Sequence, residues 1–169
     1  MKNTLLTLVP LVVACTAAPL QPPPVLDPGP GHREWVRLSA TGVQIYECRV
    51  PPGASGPAWS LVGPQADLVD ARGQPAGHHG FGPVWIAPDG SGVTGTVQAR
   101  VDAPLAGAVP WLLLSTRSSG GPGAFERVAR IQRVDTAGGV APSDGCTAAS
   151  IGAQVRVPYR AGYRLFVPS

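Results

Sequence analysis

Two adjacent histidines, His78 and His79, lie in a stretch from 77 to 92 that also holds Trp85, Asp89 and Ser91 among several glycines. Imidazole and carboxylate are ligands that a divalent metal accepts, so His79 with Asp89 is a candidate metal pair. A complete site needs more donors, for which His32, Asp67 and Asp70 are the candidates. Neighbouring residues on a strand point to opposite faces, so at most one of the two histidines joins a given site. The chain has no HExxH or HxxxH pair and no CxxC, the spacings by which a helix or a thiolate knuckle presents a metal centre. The same stretch also suits an organic ligand, because glycines let another molecule approach the backbone. His78, His79, Trp85 and Asp89, with Trp59 from an earlier segment, are the candidate ligand-binding residues.

Catalytic patterns are absent, and no catalytic residue is assigned. There is no GxSxG elbow, and Ser91 within Asp-Gly-Ser-Gly reads as turn chemistry rather than as a nucleophile. The run Gly120-Gly121-Pro122-Gly123 lacks the strand-then-helix setting of a phosphate loop. Asp67 and Asp70 flank a turn and read as solvated carboxylates. Trp59, Trp85 and Trp35, with the tyrosines, could stack on sugar rings or dock a partner if exposed, or fill a core if not. Trp111, inside Pro-Trp-Leu-Leu-Leu, reads as core. Arg127, Arg130 and Arg133 read as a solvated face; on a strand, Arg127 and Arg133 share one side and Arg130 takes the other.

At the amino terminus, Lys2 precedes an apolar run from Leu5 to Val13 that is too short to span a bilayer and contains Pro10. The run ends in Val12-Val13-Ala14-Cys15, which has the form of a lipoprotein signal with Cys15 as the lipidation site. The expectation is an exported protein tethered to a membrane through its lipidated end, facing the periplasm or cell exterior. Cys48 and Cys146 then remain, and an even pair in an exported chain is expected to form one disulfide.

Composition agrees with one folded domain. Hydrophobic residues make up 44% and charged residues 14%, with 22 Gly and 20 Pro, too apolar for a disordered chain. The net charge is +3, and beyond Lys2 every cation is arginine. Acids are interspersed with the arginines, so no basic stripe forms and no nucleic-acid partner is expected. The expected organisation is a signal and lipidation region over 1–18, a proline-rich linker over 19–31 that keeps the chain extended, and a β-rich domain over 32–169.

Within that domain, short apolar runs alternate with turn signals. Glu34–Leu38 and Val43–Val50 flank Ser39-Ala40-Thr41-Gly42 and read as a hairpin, and Trp59–Val62 ends at Gly63-Pro64. Val84–Ala87 and Val93–Val101 flank the turn Pro88-Asp89-Gly90-Ser91-Gly92. Val109–Thr116, Val155–Tyr159 and Tyr163–Val167 complete the strands. The stretch 125–134 fits a helical stripe and a strand face, with its glycine-rich flanks favouring strand. The class is all-β: a single-domain β-sandwich or partly open β-barrel with one disulfide.

Several segments, taken in order, resemble a known family. They are Gln44-Ile45-Tyr46-Glu47-Cys48, Gly82-Pro83-Val84-Trp85 with Asp89-Gly90-Ser91, Val109-Pro110-Trp111-Leu112-Leu113-Leu114, Ile131 to Gly139, Gly145-Cys146, and Val157-Pro158-Tyr159 with Tyr163. The set resembles domain-of-unknown-function family 3455, exported bacterial and fungal proteins of no established activity. The resemblance implies a compact secreted β-rich domain, and His79 occupies the place of the family's histidine before Gly-Pro-x-Trp. The expected function is that of a non-enzymatic cell-envelope lipoprotein binding a partner or ligand, an envelope protein or glycan, through 77–92. The alternative is a small metal-binding protein or metal-dependent enzyme centred on His79, with a divalent metal as its cofactor; otherwise none is expected.

Overall fold

The computed structural model describes residues 20–169, so Cys15 and the signal region lie outside the described residues. Eight strands follow one another: β1 (His32–Arg49), β2 (Ala58–Val69), β3 (Pro75–Gly80), β4 (Val84–Ile86), β5 (Gly92–Val101), β6 (Trp111–Ser118), β7 (Arg130–Gly138) and β8 (Gln154–Pro168). Each pairs antiparallel with the next, and β8 returns to pair with β1. The all-β class and the disulfide are as expected, and the architecture is one continuous sheet closed into a ring rather than two stacked sheets. Closure is incomplete on one side: β3 and β4 are short, so residues 58–65 of β2 and 96–101 of β5 have no strand partner there among the described residues.

Alternation along the strands separates inside from outside. Leu38 and Ala40 of β1, Leu68 of β2, Trp85 of β4, Leu112 and Leu114 of β6, Ile131 of β7 and Tyr163 and Leu165 of β8 meet in the main core. Trp111 and Leu113 therefore face outward, where Val134 and Leu26 join them in a second apolar cluster. Leu26 sits in a short 3-10 turn, Pro24–Leu26, and is completely buried. Its carbonyl accepts a 2.6 Å hydrogen bond from Gln132 Nε2. The proline-rich segment is thus not a free spacer along its whole length, because one apolar side chain and one carbonyl fasten it to the outer face of the sheet.

Two expected turns are absent. β1 runs unbroken through Ser39-Ala40-Thr41-Gly42, and Gly42 faces Ala66 across the pair. A β-carbon at Gly42 would lie 2.1 Å from the Gln65 carbonyl oxygen, so this glycine marks a close approach of two strands, not a bend. Gly63-Pro64 likewise lies within β2, where the register slips opposite Ile45 and Tyr46, a bulge of the kind that curves long strands around a closed sheet. The turn before β5 is present as expected, and the ambiguous stretch 125–134 resolves into buried Phe125 and Val128 ahead of strand β7. Cys48 and Cys146 are bonded, joining the end of β1 to the loop before β8.

Candidate functional site

The ring encloses a cavity of about 540 Å³ whose mouth lies between β2, the β3–β4 turn and β5. Its lining is mostly apolar and includes Leu61, Val97, Val109, Leu112, Leu114 and Trp85. Such dimensions and polarity are those of pockets that take small organic molecules. A closed ring of eight strands is about the smallest that holds one small ligand rather than only its own side chains.

His79 and Trp85 stand together at this wall. They are register partners on β3 and β4, and partners directly across a pair share a face. Their rings stack at 4.1 Å with an interplanar angle of 13°. Tyr163 meets both edge-on, at 5.2 Å from His79 and 5.5 Å from Trp85. Gly95 makes this possible, because a β-carbon there would sit 2.8 Å from Trp85 Cζ3. His79 Nδ1 lies 2.8 Å from the Val84 carbonyl oxygen. That acceptor requires a proton on Nδ1, which leaves Nε2 of the neutral ring as an acceptor. Burial is the main reason the His79 pKa is pushed down to about 4, and the Arg133 charge adds to it.

The remaining polar groups at the cavity come from β1, β7 and β8. Gln44 and Tyr163 are each 1% exposed; among the described residues neither Gln44 Nε2 nor Trp85 Nε1 has a hydrogen-bond partner, while the Tyr163 hydroxyl lies beside Tyr159 and Arg133. Buried donors are normally satisfied, so two orphans on residues that line one space need an explanation. The Tyr46 hydroxyl, by contrast, donates to the Gly139 carbonyl at 2.6 Å. Burial raises the pKa of Tyr46 and, more strongly, that of Tyr163, so both stay protonated near neutrality. Arg133 donates through Nε and Nη2 to the Pro110 carbonyl at 3.0 and 2.9 Å. Arg100 lines the mouth on the exposed side.

Of the five candidate ligand-binding residues, His79 and Trp85 line the cavity and His78, Asp89 and Trp59 do not. His78 points outward, where Nδ1 lies 3.0 Å from Asp67 Oδ1. Asp89 is engaged in its turn: Oδ1 accepts from the Ser91 amide and hydroxyl at 2.9 and 2.6 Å, and Oδ2 accepts from the Ala124 amide at 2.8 Å. Ser91 Oγ in turn accepts from the Phe125 amide at 3.0 Å, so the pair pins the loop before β7 instead of facing His79. Those hydrogen bonds hold the Asp89 carboxyl below the usual range. Trp59 donates to the Asp144 carbonyl at 2.7 Å, beside the disulfide loop. Trp85 is 1% exposed and so offers no outer surface for docking. Among the described residues no group of three His, Cys, Asp or Glu side chains converges as a metal cluster.

Arg133 and Gln44 were missed as site residues, and Tyr163 was weighed only as one of the rings that stack on a ligand or fill the core. The solvated-face reading fails for Arg133, because Arg127 precedes the strand and Arg133 alternates with Ile131 on the inner side. The signal was present: if Ile131 faces the core of a strand, Arg133 faces it too. A family model described as "Protein of unknown function (DUF3455)" matches residues 28–167. No curated protein and no solved structure matches the chain.

Proposed function

The chain belongs to the DUF3455 family, and from the interior of its closed sheet we propose that it is a non-enzymatic binding protein that takes a small, largely apolar molecule into the ring. One observation carries the reading: the 540 Å³ cavity is lined mostly by hydrocarbon, and two of its lining residues, Gln44 and Trp85, carry buried side-chain nitrogens without a partner among the described residues. For comparison, a dry cavity of roughly 150 Å³ already admits benzene. The reading replaces the outer surface of 77–92 with the inner face of the same segment, where His79 and Trp85 lie. Export and a lipid anchor at Cys15 remain part of the proposal. The signal-like run at the amino terminus supports them, and so does a disulfide, which persists in oxidising compartments.

The test uses an uncharged probe, N-phenyl-1-naphthylamine, whose fluorescence rises in apolar surroundings. Wild-type protein should bind it at one site per chain. Val97 lines the cavity mouth and is 50% exposed, so Val97→Trp should block entry without overpacking the core. Undiminished binding by Val97→Trp, or no binding by wild type, would refute the proposal.

A further inference from the structure

Resting on the reading of the interior as a binding cavity, we infer that its ligand is an apolar acid: a hydrocarbon or aromatic body bearing one carboxylate or comparable oxyanion, with the head held by Arg133 and Arg100. The strand register brings these two together. Arg100 pairs with Leu112, Leu112 with Arg133, and Arg133 with Tyr163, and all four line the cavity. Directly paired residues share a face, so both side chains leave the sheet on its inner side, from strands roughly 10 Å apart. That separation is within joint reach of two arginine side chains.

No aspartate or glutamate among the described residues lines the cavity. Among the described residues the ion pairs are Glu34 with Arg37, Asp70 with Arg72 and Asp67 with His78, so neither Arg100 nor Arg133 has a carboxylate partner. Arg133 spends two of its donors on the neutral Pro110 carbonyl and lies beside the Tyr163 hydroxyl, so its neighbours are neutral and its charge is not offset by them. A cation facing a confined apolar space without a counter-ion is poorly placed, and an oxyanion entering that space corrects it. The neighbours agree in kind: Gln44 Nε2 and Trp85 Nε1, which lack partners among the described residues, and the Tyr163 hydroxyl beside Arg133 can all donate, and an ionised carboxylate only accepts. Arg100, on the exposed side of the mouth, would draw an anion inward before Arg133 holds it. The hydrocarbon wall then receives the body.

The test compares two competitors of similar size, octanoate and 1-octanol, each displacing N-phenyl-1-naphthylamine at about pH 7.5, where the acid is ionised. Octanoate should compete roughly tenfold or more better than the alcohol, as expected for hydrogen bonds to a charged group. In Arg133→Gln that advantage should fall to within about twofold, with the loss falling mainly on octanoate rather than on 1-octanol. Arg133→Lys should keep part of the advantage, since it retains the charge but not the fork. If Arg133 served only to hold Pro110, its loss would weaken acid and alcohol alike. Should Arg133→Gln not fold, Arg100→Gln decides: a severalfold loss of acid preference supports the inference, and an unchanged preference overturns it. Equal competition by acid and alcohol in the wild type would also overturn it and leave the cavity reading standing. Failure of the neutral probe to bind would remove the cavity reading itself.

Discussion

Acidification from about pH 7 to about pH 5 should destabilise this protein through His79. In the folded state its pKa is pushed down to about 4, chiefly by burial, against an ordinary value of 6.5. Between those two values the unfolded chain takes up a proton that the folded one refuses, so stability falls as the pH falls. It is fully present above the unfolded pKa and its loss levels off below the folded one. Integrating proton uptake from pH 7 to pH 5 with those two values gives a loss of about 1.8 kcal/mol, equivalent to a drop in Tm of about 4–7 °C. The assay is urea unfolding at both pH values for wild type, His79→Gln and His79→Phe. The variants retain His32 and His78, so only the buried imidazole differs between them and the wild type. Each variant will be less stable at neutral pH, but its loss on acidification should be smaller than that of wild type by about 1.8 kcal/mol. Equal losses in all three proteins would refute the placement of a neutral His79 in the interior.

Three further outcomes follow from packing. Leu26 is completely buried against Trp111, Leu113 and Val134, so Leu26→Ala should cost about 2–5 kcal/mol in the urea midpoint, whereas a free spacer would tolerate it. At Gly95, a β-carbon would lie 2.8 Å from Trp85 and 2.9 Å from Leu114, so Gly95→Val should destabilise by about 1–3 kcal/mol and alter the near-ultraviolet circular dichroism of Trp85. The disulfide closes a separation of 98 residues, and the Cys48→Ser, Cys146→Ser double variant should lose about 4–5 kcal/mol on the chain-entropy account, read from equilibrium unfolding of both proteins under the same conditions.

Much of the fold was legible because short-range alternation is enough to find strands. Val93–Val101 and Val109–Thr116 lie within a residue or two of β5 and β6, and the turn from Pro88 to Gly92 connects β4 to β5 as its glycines and aspartate indicate. Gly42 and Gly63-Pro64 misled for a physical reason. A glycine needed to let two strands approach looks, in sequence, like a glycine needed to turn. His79 and Trp85 were found as candidates by their company in one glycine-rich segment, but that company also drew in His78 and Asp89. One sits on the opposite face of β3 and the other holds the loop before β7.

The sequence by itself determined the all-β class, the pairing of Cys48 with Cys146 and the alternation that sets Arg133 beside Ile131. Those properties depend on residue type and on neighbours a few positions away. Tertiary structure alone decided that β8 returns to β1, that the enclosed space stays partly open, and that Arg100, Arg133, Gln44 and Tyr163 face it together. A cavity is what remains after side chains from every strand have taken their volume. Its shape therefore depends on registers between segments far apart in the chain, and no local pattern records them.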